Sequence, residues 1–139
     1  MDGKRFKNWK YPEIIEGKLT KYNWLVQNKE GLKLGYKTDI GAFTYINAKF
    51  GVEIQDNVQI GSHCSIYSVS TIDNKKGKVI IKKNARIGAH SVILPNVTIG
   101  NNTIIGAHSL VTKSIPGNVV AYGVPIRIIG KIRDERKEL

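Results

Sequence analysis

The sequence predicts a single all-β domain folded as a parallel β-helix. Aliphatic residues recur every six positions, a period that neither an α-helix nor an ordinary strand has, as at Ile81, Ile87, Ile93, Ile99 and Ile105. Glycine follows the aliphatic residue in several hexads, and asparagine, which tolerates left-handed backbone angles, stands three residues after it in others. Each hexad is therefore predicted to be a short strand and a tight turn. Since six residues bury almost nothing alone, the hexads must wind into coils that stack at ~4.8 Å.

The hexads divide the 139 residues into three parts of one domain. Residues 1–33 have no period and are predicted to cap the open end of the coil with four aromatic side chains: Trp9, Tyr11, Tyr22 and Trp24. Residues 34–116 are predicted to form the β-helix. Residues 117–139 form a C-terminal extension, whose basic tail from Arg133 onward is predicted to be a short helix.

The hexad register breaks twice. Two extra residues follow the hexad at Ile46, and fifteen residues rather than six separate Ile66 from Ile81. The second break predicts a polar, basic loop over residues 72–80, and loops on a rigid scaffold often carry chemistry. An alternative count keeps Ile72 in the coil and shortens the excursion to three residues.

Composition narrows the class of protein. The chain is 41% hydrophobic and 24% charged, has no run of the roughly 18 apolar residues that a membrane span needs, and starts without a secretory signal, so we expect a cytoplasmic protein. A single cysteine, Cys64, excludes an internal disulfide and a CxxC metal site, and no metal is expected. The net charge of +11 favours an anionic partner. The sequence lacks the basic patch with interleaved aromatic residues that proteins binding single-stranded nucleic acid use. We therefore expect the partner to be an anionic small molecule, and neither nucleic acid nor a membrane.

The C-terminal hexads resemble those of the hexapeptide-repeat acyltransferases. The residues that carry the resemblance are Ile-Gly-Asn-Asn-Thr-Ile-Ile-Gly-Ala-His-Ser-Leu-Val-Thr-Lys-Ser-Ile-Pro at 99–116 and Val-Val-Ala-Tyr-Gly-Val-Pro at 119–125. The resemblance covers about residues 34–131 and is strongest to galactoside, maltose and related sugar O- and N-acetyltransferases, including those that act on nucleotide-linked amino sugars. It implies a left-handed β-helix with three hexads per coil, a homotrimer, and acetyl-CoA bound between neighbouring subunits.

The resemblance also implies which residues would contact the coenzyme. Ala89 and Ala107 match positions whose backbone holds the pantetheine arm, Thr112 and Lys113 match further coenzyme-binding positions, and Arg127 matches one near the nucleotide phosphates. Lysine and arginine suit the coenzyme's phosphates because they form charge-assisted hydrogen bonds with them. His90, beside Ala89, is added to this predicted coenzyme site; the alternative is that Lys113 and Arg127 are solvated surface charges.

The acceptor end departs from the family pattern. Asn47, in Tyr-Ile-Asn, matches an asparagine that contacts the acceptor sugar. Where the sugar acetyltransferases have Ile-Tyr-Thr-Ala-Thr-His, residues 66–71 read Ile-Tyr-Ser-Val-Ser-Thr, so Thr71 replaces the catalytic histidine. Asn47 and Thr71 are predicted to bind the acceptor, but a threonine hydroxyl is not basic enough to accept a proton near neutral pH.

Three histidines occupy one position of the hexad: His63, His90 and His108, each three residues after an isoleucine. His90 and His108 are eighteen residues apart, which is one full coil, and His63 joins their edge if residues 72–80 lie outside the coil. Imidazole is the side chain that titrates near neutral pH and serves as a general base. His63 is therefore the candidate catalytic base. Alternatively, all three are turn residues, since histidine is enriched in left-handed backbone.

Cys64 follows His63, and such a pair can act as a nucleophile. Cys64 also occupies the small inward position that serine fills in other hexads, which predicts a core residue instead.

The replacement of the family's catalytic histidine by Thr71 affects which acceptor group we expect. A sugar hydroxyl needs a base, whereas an amine with a pKa of ~8 is partly unprotonated at neutral pH and attacks unaided. The predicted function is therefore acetyl transfer from acetyl-CoA to the amine of a nucleotide-linked amino sugar, in surface polysaccharide biosynthesis. The alternatives are a sugar O-acetyltransferase, a catalytically silent trimeric scaffold, and a hexapeptide-repeat carbonic anhydrase with zinc-binding histidines.

Overall fold

The fold is known from a computed structural model, which describes residues 7–132. Apart from one turn of 3₁₀ helix at Lys29–Gly31, the regular structure of these residues is β-strand. The strands are β1 (Leu25–Gln27), β2 (Leu32–Leu34), β3 (Asp39–Ile40), β4 (Tyr45–Asn47), β5 (Val52–Ile54), β6 (Gln59–Ile60), β7 (Ser65–Tyr67), β8 (Val69–Ser70), β9 (Lys75–Lys76), β10 (Val79–Ile81), β11 (Arg86–Ile87), β12 (Val92–Ile93), β13 (Thr98–Ile99), β14 (Ile104–Ile105), β15 (Leu110–Val111), β16 (Val119–Tyr122) and β17 (Arg127–Lys131).

The strands wind into a coil with three flat sides. The first sheet has the order β1-β4-β7-β12-β15, the second β2-β5-β10-β13, and the third β3-β6-β11-β14-β16, and every neighbouring pair in them is parallel. Successive hexads thus occupy successive sides, and three hexads make one coil, as the family resemblance implied.

Each sheet sends one column of aliphatic side chains into the core. The columns are Val26, Ile46, Ile66, Ile93 and Val111 from the first sheet, Ile54, Ile81, Ile99 and Ile115 from the second, and Ile40, Ile60, Ile87, Ile105 and Ala121 from the third. All of them are buried. Burying one such aliphatic side chain contributes roughly 1.5–3 kcal/mol, so the columns are the main source of stability.

The corners between sheets are made by residues with left-handed backbone. Asn57, Asn84, Asn96 and Asn102 all have φ between 62° and 66°, which confirms the predicted turn asparagines. The corner that links the third sheet to the first has the same geometry, with Asn23, Phe43, His63, His90 and His108 at φ values of 58° to 67°.

The long register break lies outside the coil. Ile66 pairs directly with Ile93, and Ile72 has 96% of its surface exposed, so the alternative count that kept Ile72 in the core is wrong. The excursion is a small antiparallel hairpin of β8 and β9. It therefore begins at Val69, before the predicted loop, and ends before β10 returns to the second sheet at Val79.

The N-terminal boundary differs from the prediction. The coil begins at Leu25, inside the segment assigned to the cap, because β1 already pairs with β4. Trp24 is buried against the core. Trp9 instead packs on the outside of the coil, where its ring centroid lies 4.9 Å from that of Tyr11 and 5.1 Å from that of Tyr36. Tyr22 is exposed and does not cover the end of the core as the predicted cap required.

The first part of the C-terminal extension adds one more strand to the coil, and the second part folds back along that strand. β16 stacks on β14 in the third sheet, and β17 then folds back antiparallel along β16. The tail for which a short helix was predicted lies outside the described residues. Among residues 7–132, no helix has the length and hydropathy that crossing a membrane requires.

We expect Ile93→Ala to destabilise the protein by about 2–5 kcal/mol, because it empties part of a fully buried column. Ile72→Ala removes the same atoms from the exposed hairpin tip and should change stability by less than about 0.5 kcal/mol. Denaturant unfolding of both variants measures the difference. Equal destabilisation by the two would contradict the assignment of Ile72 to the outside of the coil.

Candidate active site

The corner between the third and first sheets brings the three histidines into one ladder. The imidazole centroids of His63 and His90 are 4.8 Å apart with an interplanar angle of 5°, and those of His90 and His108 are 4.9 Å apart at 7°. All three side chains are exposed. The predicted edge is therefore present, and it includes His63 because the hairpin lies outside the coil.

The ladder has a fourth ring that the sequence analysis missed. Phe43 stands 5.3 Å from His63, centroid to centroid, and occupies the same left-handed corner position one coil earlier. The signal was available, since Phe43 follows Ile40 by three residues, as each histidine follows its isoleucine. The histidines are thus turn residues and an exposed ring stack at the same time.

Glycines let successive coils stack closely beside this ladder. A Cβ added to Gly61 would lie 2.6 Å from the backbone nitrogen of Ala89, and one on Gly88 would lie 2.4 Å from that of Ala107. Any side chain at these glycines would push the coils apart. The corner consequently presents the small side chains of Ala89 and Ala107 next to the imidazoles, with Ala89 half-buried and Ala107 exposed.

Arg127 lies at the C-terminal end of the same corner. It is the first residue of β17 and pairs with Tyr122, whose side chain covers Gly106, directly before Ala107. Thr112 and Lys113 do not join this corner; they follow β15 at the next one. Arg127, Thr112 and Lys113 are all exposed. In the part of the chain that the structure describes, neither Arg127 nor Lys113 has a carboxylate partner.

Asn47 belongs to a polar network on the outer face of the first sheet. Its Oδ1 accepts a hydrogen bond of 3.0 Å from Nδ2 of Asn28, and its Nδ2 donates to the hydroxyl of Tyr45 over 3.3 Å. The Tyr45 hydroxyl donates in turn to Oε1 of Gln27, and its ring lies 5.8 Å from that of Tyr67. Gln27 and Tyr67 were not predicted site residues, although both stand at outward positions of the strands that flank Asn47.

Thr71 lies exposed in the turn of the β8–β9 hairpin. It follows the end of the first-sheet strand β7, whereas His63 precedes the start of that strand. The strand alone separates the two ends by about 10 Å. Within one chain, therefore, the structure places Asn47 and Thr71 at one end of the first sheet and the histidine ladder at the other.

Cys64 is a core residue, as its inward position predicted. Its side chain is fully buried, its Sγ lies 3.3 Å from the carbonyl oxygen of Gly88, and burial raises the pKa of the thiol. A thiol with a raised pKa holds little thiolate at neutral pH, and thiolate is the reactive form. A Cys64–His63 nucleophile is therefore excluded by the burial of the sulfur.

Comparisons with known proteins agree with this architecture. The repeat pattern described as bacterial transferase hexapeptide (six repeats) matches residues 78–113. Residues 78–113 therefore carry the hexapeptide repeat that this pattern describes. The chain is 44% identical to galactoside O-acetyltransferase of Escherichia coli K12 over 97 residues, which cover 63% of the chain and 48% of that relative. The chain thus spans about half the length of that curated relative.

Solved structures place the hexapeptide-repeat protein in the left-handed β-helix class. A galactoside acetyltransferase in complex with coenzyme A superposes with a TM-score of 0.77 at 34% identity, covering 84% of the chain and 62% of that structure. AntD, an N-acyltransferase from Bacillus cereus in complex with dTDP and coenzyme A, superposes with a TM-score of 0.69 at 26% identity, covering 84% and 81%.

The zinc alternative has no ligand set in the part that the structure describes. Among residues 7–132, no group of three or more histidine, cysteine, aspartate or glutamate side chains is placed to hold a metal ion. The imidazoles of the ladder are nearly parallel, so their nitrogen lone pairs lie in separate planes and do not converge on one ion.

We expect Cys64 of the folded protein to react with a thiol reagent such as DTNB at least about tenfold more slowly than in denaturant, because burial protects the sulfur and raises its pKa. Absorbance at the reagent's product band measures both rates. A fast stoichiometric reaction in the native state would show that the sulfur is accessible after all.

Proposed function

We propose that this hexapeptide-repeat protein is an acetyl-CoA-dependent acetyltransferase that acts on the amine of a nucleotide-linked amino sugar and works as a homotrimer. One observation carries the proposal: a single corner of the coil combines the small side chains of Ala89 and Ala107, the histidine ladder, and Arg127 at its end.

This corner suits a long, flexible, phosphorylated coenzyme. The small side chains leave the backbone at Ala89 and Ala107 accessible to the pantetheine arm, and His90 flanks it. Arg127 at the end of this corner and Lys113 at the next corner are exposed and lack carboxylate partners among residues 7–132, so both are available for phosphate groups. Thr112 adds a hydroxyl beside Lys113.

The acceptor would lie on the outer face of the first sheet. The Nδ2 group of Asn47 donates one hydrogen bond to Tyr45 and has a second hydrogen to offer there, and Tyr45 and Tyr67 provide aromatic surface for a sugar or base. Because His63 and this face lie at opposite ends of β7, the proposal requires a neighbouring subunit. In a homotrimer, the histidine corner of one subunit would face the Asn47 surface of the next, and the family resemblance implies that the coenzyme binds between neighbouring subunits.

His63 is the proposed general base. The acceptor nitrogen attacks the thioester carbonyl carbon, and its proton passes to an imidazole nitrogen of His63. The carbon–sulfur bond then breaks, and the coenzyme thiolate leaves and takes up the proton. The chain thereby supplies an exposed proton acceptor at the N-terminal end of the coenzyme corner, where the ladder ends in His63 and Phe43.

The amine is favoured over a hydroxyl because Thr71 stands where the sugar acetyltransferases have histidine. The resemblance to AntD, an N-acyltransferase whose structure contains dTDP, supports the same choice. Sugar O-acetylation is the second candidate, and the 44% identity to a galactoside O-acetyltransferase favours it.

Arg127→Gln should weaken coenzyme A binding about tenfold, since one cation–phosphate contact is lost. Isothermal titration with coenzyme A measures the dissociation constant. Lys18→Gln, which also removes one exposed positive charge, is the matched control and should leave it unchanged. Equal weakening by both variants would mean that only the net charge matters, and Arg127 would lose its assigned contact.

His63→Asn should lower kcat by about 10²–10⁴-fold, because asparagine keeps the left-handed turn and removes the proton acceptor. The measurement is thiol release from acetyl-CoA with a panel of amino-sugar nucleotides and simple glycosides. His108→Asn makes the same change at the other end of the ladder, away from the proposed reacting atoms; any effect on coenzyme binding should raise KM, and kcat should stay within about twofold of wild type.

Turnover that survives His63→Asn would make His63 a turn residue, with the amine attacking unaided. Turnover with glycosides alone would establish O-acetylation. A protein that binds coenzyme A but releases no thiol with any acceptor would contradict the proposed substrate, and one that does not bind coenzyme A would support the silent scaffold.

A further inference from the structure

Both insertions of the coil meet at the corner that follows the first sheet. The two extra residues of the first insertion place Phe50 next to the hairpin, and the backbone nitrogen of Phe50 donates 3.0 Å to Oγ of Ser68. The backbone nitrogen of Val79, where the hairpin rejoins the coil, donates 3.0 Å to the carbonyl oxygen of Gly51. The two segments are thus held together by one backbone–side-chain and one backbone–backbone hydrogen bond.

This contact creates a cationic corner, which consists of Lys49, Phe50 and Lys76. The Nζ atoms of Lys49 and Lys76 lie 5.7 and 5.4 Å from the centroid of the Phe50 ring. The ring keeps 40% of its surface exposed, and both lysines are exposed. An aromatic ring attracts ammonium groups, so Phe50 can hold both Nζ atoms within 5.7 Å of its centroid although they repel each other.

Two carboxylates near the cationic corner, those of Asp73 and Glu53, are already paired with other lysines. Asp73 pairs with Lys75 at 3.7 Å, and Glu53 pairs with Lys78 at 3.2 Å. A hydrogen bond from Ser70 lowers the pKa of Asp73, and hydrogen bonds from Gln55 and Lys78 lower the pKa of Glu53, so both acids are ionised at neutral pH.

Lys49 and Lys76 are therefore left without a carboxylate partner among the residues that the structure describes. Two uncompensated ammonium groups beside one exposed ring form a local positive charge that an anion would neutralise.

The cationic corner adjoins the proposed acceptor surface. The backbone nitrogen of Lys49 donates 3.2 Å to Oδ1 of Asn47, and Oγ of Ser68 donates 2.8 Å to the carbonyl oxygen of Asn47. The lysines consequently follow directly on the surface formed by Asn47, Tyr45 and Tyr67. A ligand lying on that surface would bring a neighbouring anionic group to the corner.

We propose that Lys49 and Lys76 bind the phosphate groups of a phosphorylated acceptor, with Phe50 holding the two ammonium groups in place. This inference rests on the proposed function and names the feature of the acceptor that the chain selects. Lysine ammonium groups act on phosphate as point charges with several donors each, which suits a diphosphate whose oxygens can turn toward either lysine. An uncharged glycoside would leave this corner unused.

The test is isothermal titration with dTDP, in the absence and presence of saturating coenzyme A. Saturating coenzyme A occupies its own phosphate contacts, so the remaining dTDP binding reports the acceptor side. The double variant Lys49→Gln/Lys76→Gln keeps most of both aliphatic stems and should raise the dissociation constant for dTDP at least about tenfold. Its affinity for coenzyme A should stay within about twofold of wild type, since neither residue belongs to the coenzyme corner.

The matched control is Lys21→Gln/Lys37→Gln. These lysines also lie over aromatic rings, 5.9 Å from the Tyr22 centroid and 5.8 Å from that of Tyr36, but away from the insertions. The control removes the same net charge from the same kind of contact, so its dTDP affinity should match wild type. All four lysines are exposed, and both double variants are expected to fold.

Equal dTDP binding by wild type and Lys49→Gln/Lys76→Gln would overturn the proposal, as would dTDP binding that coenzyme A abolishes. Equal losses in the two double variants would reduce the effect to net charge and would also overturn it. A chain that binds dTDP through Lys49 and Lys76 but does not bind coenzyme A would refute the proposed function and keep the phosphate site. Tighter binding of a mixed-sequence RNA oligonucleotide than of dTDP, lost in the same variant, would assign the corner to nucleic acid instead.

Discussion

The stacking of one coil on the next, strand over strand in fixed register, is the constraint on which the structure depends. Each turn of the coil must supply one aliphatic side chain to each of three columns, and each corner must be tight enough for the next coil to follow. Glycines such as Gly88 are required because the neighbouring backbone would meet any Cβ there. Insertions are tolerated only where they leave the coil and return to the same column, as Ile66 and Ile93 show.

Because of the same register, a residue that is repeated at one hexad position forms a continuous exposed row along the coil. A side chain at a given hexad position is carried directly above its equivalent in the coil below, so a histidine repeated every coil becomes a stack with a spacing of 4.8–4.9 Å. The turn role and the proposed catalytic role of His63 are therefore compatible. The left-handed corner keeps the imidazole exposed, and the small neighbours Ala89 and Ala107 keep the edge open for a ligand.

The insertions have the opposite effect, because they break the repetition at one place. Both leave the coil at the corner after the first sheet, and there they bring Lys76 within 5.4 Å of the ring centroid of Phe50, 26 residues away in sequence. Under the proposed function, the regular corner would supply a long uniform edge for the coenzyme, while the irregular corner would supply charges placed for one acceptor. On this interpretation, the coil sets the reaction class and the insertions set the substrate.

The fold class, the inward columns, the left-handed corners and the histidine edge could all be predicted from the residues, because a six-residue period is a local property that every repeat carries. The sequence left two hexad counts open at Ile72, and only tertiary contacts decided between them, through the pairing of Ile66 with Ile93. The start of the coil at Leu25, the return strand β17 and the contact between Phe50 and Lys76 were likewise decided by the folded chain. Each depends on segments outside the repeat, whose positions are set by what they pack against rather than by any period.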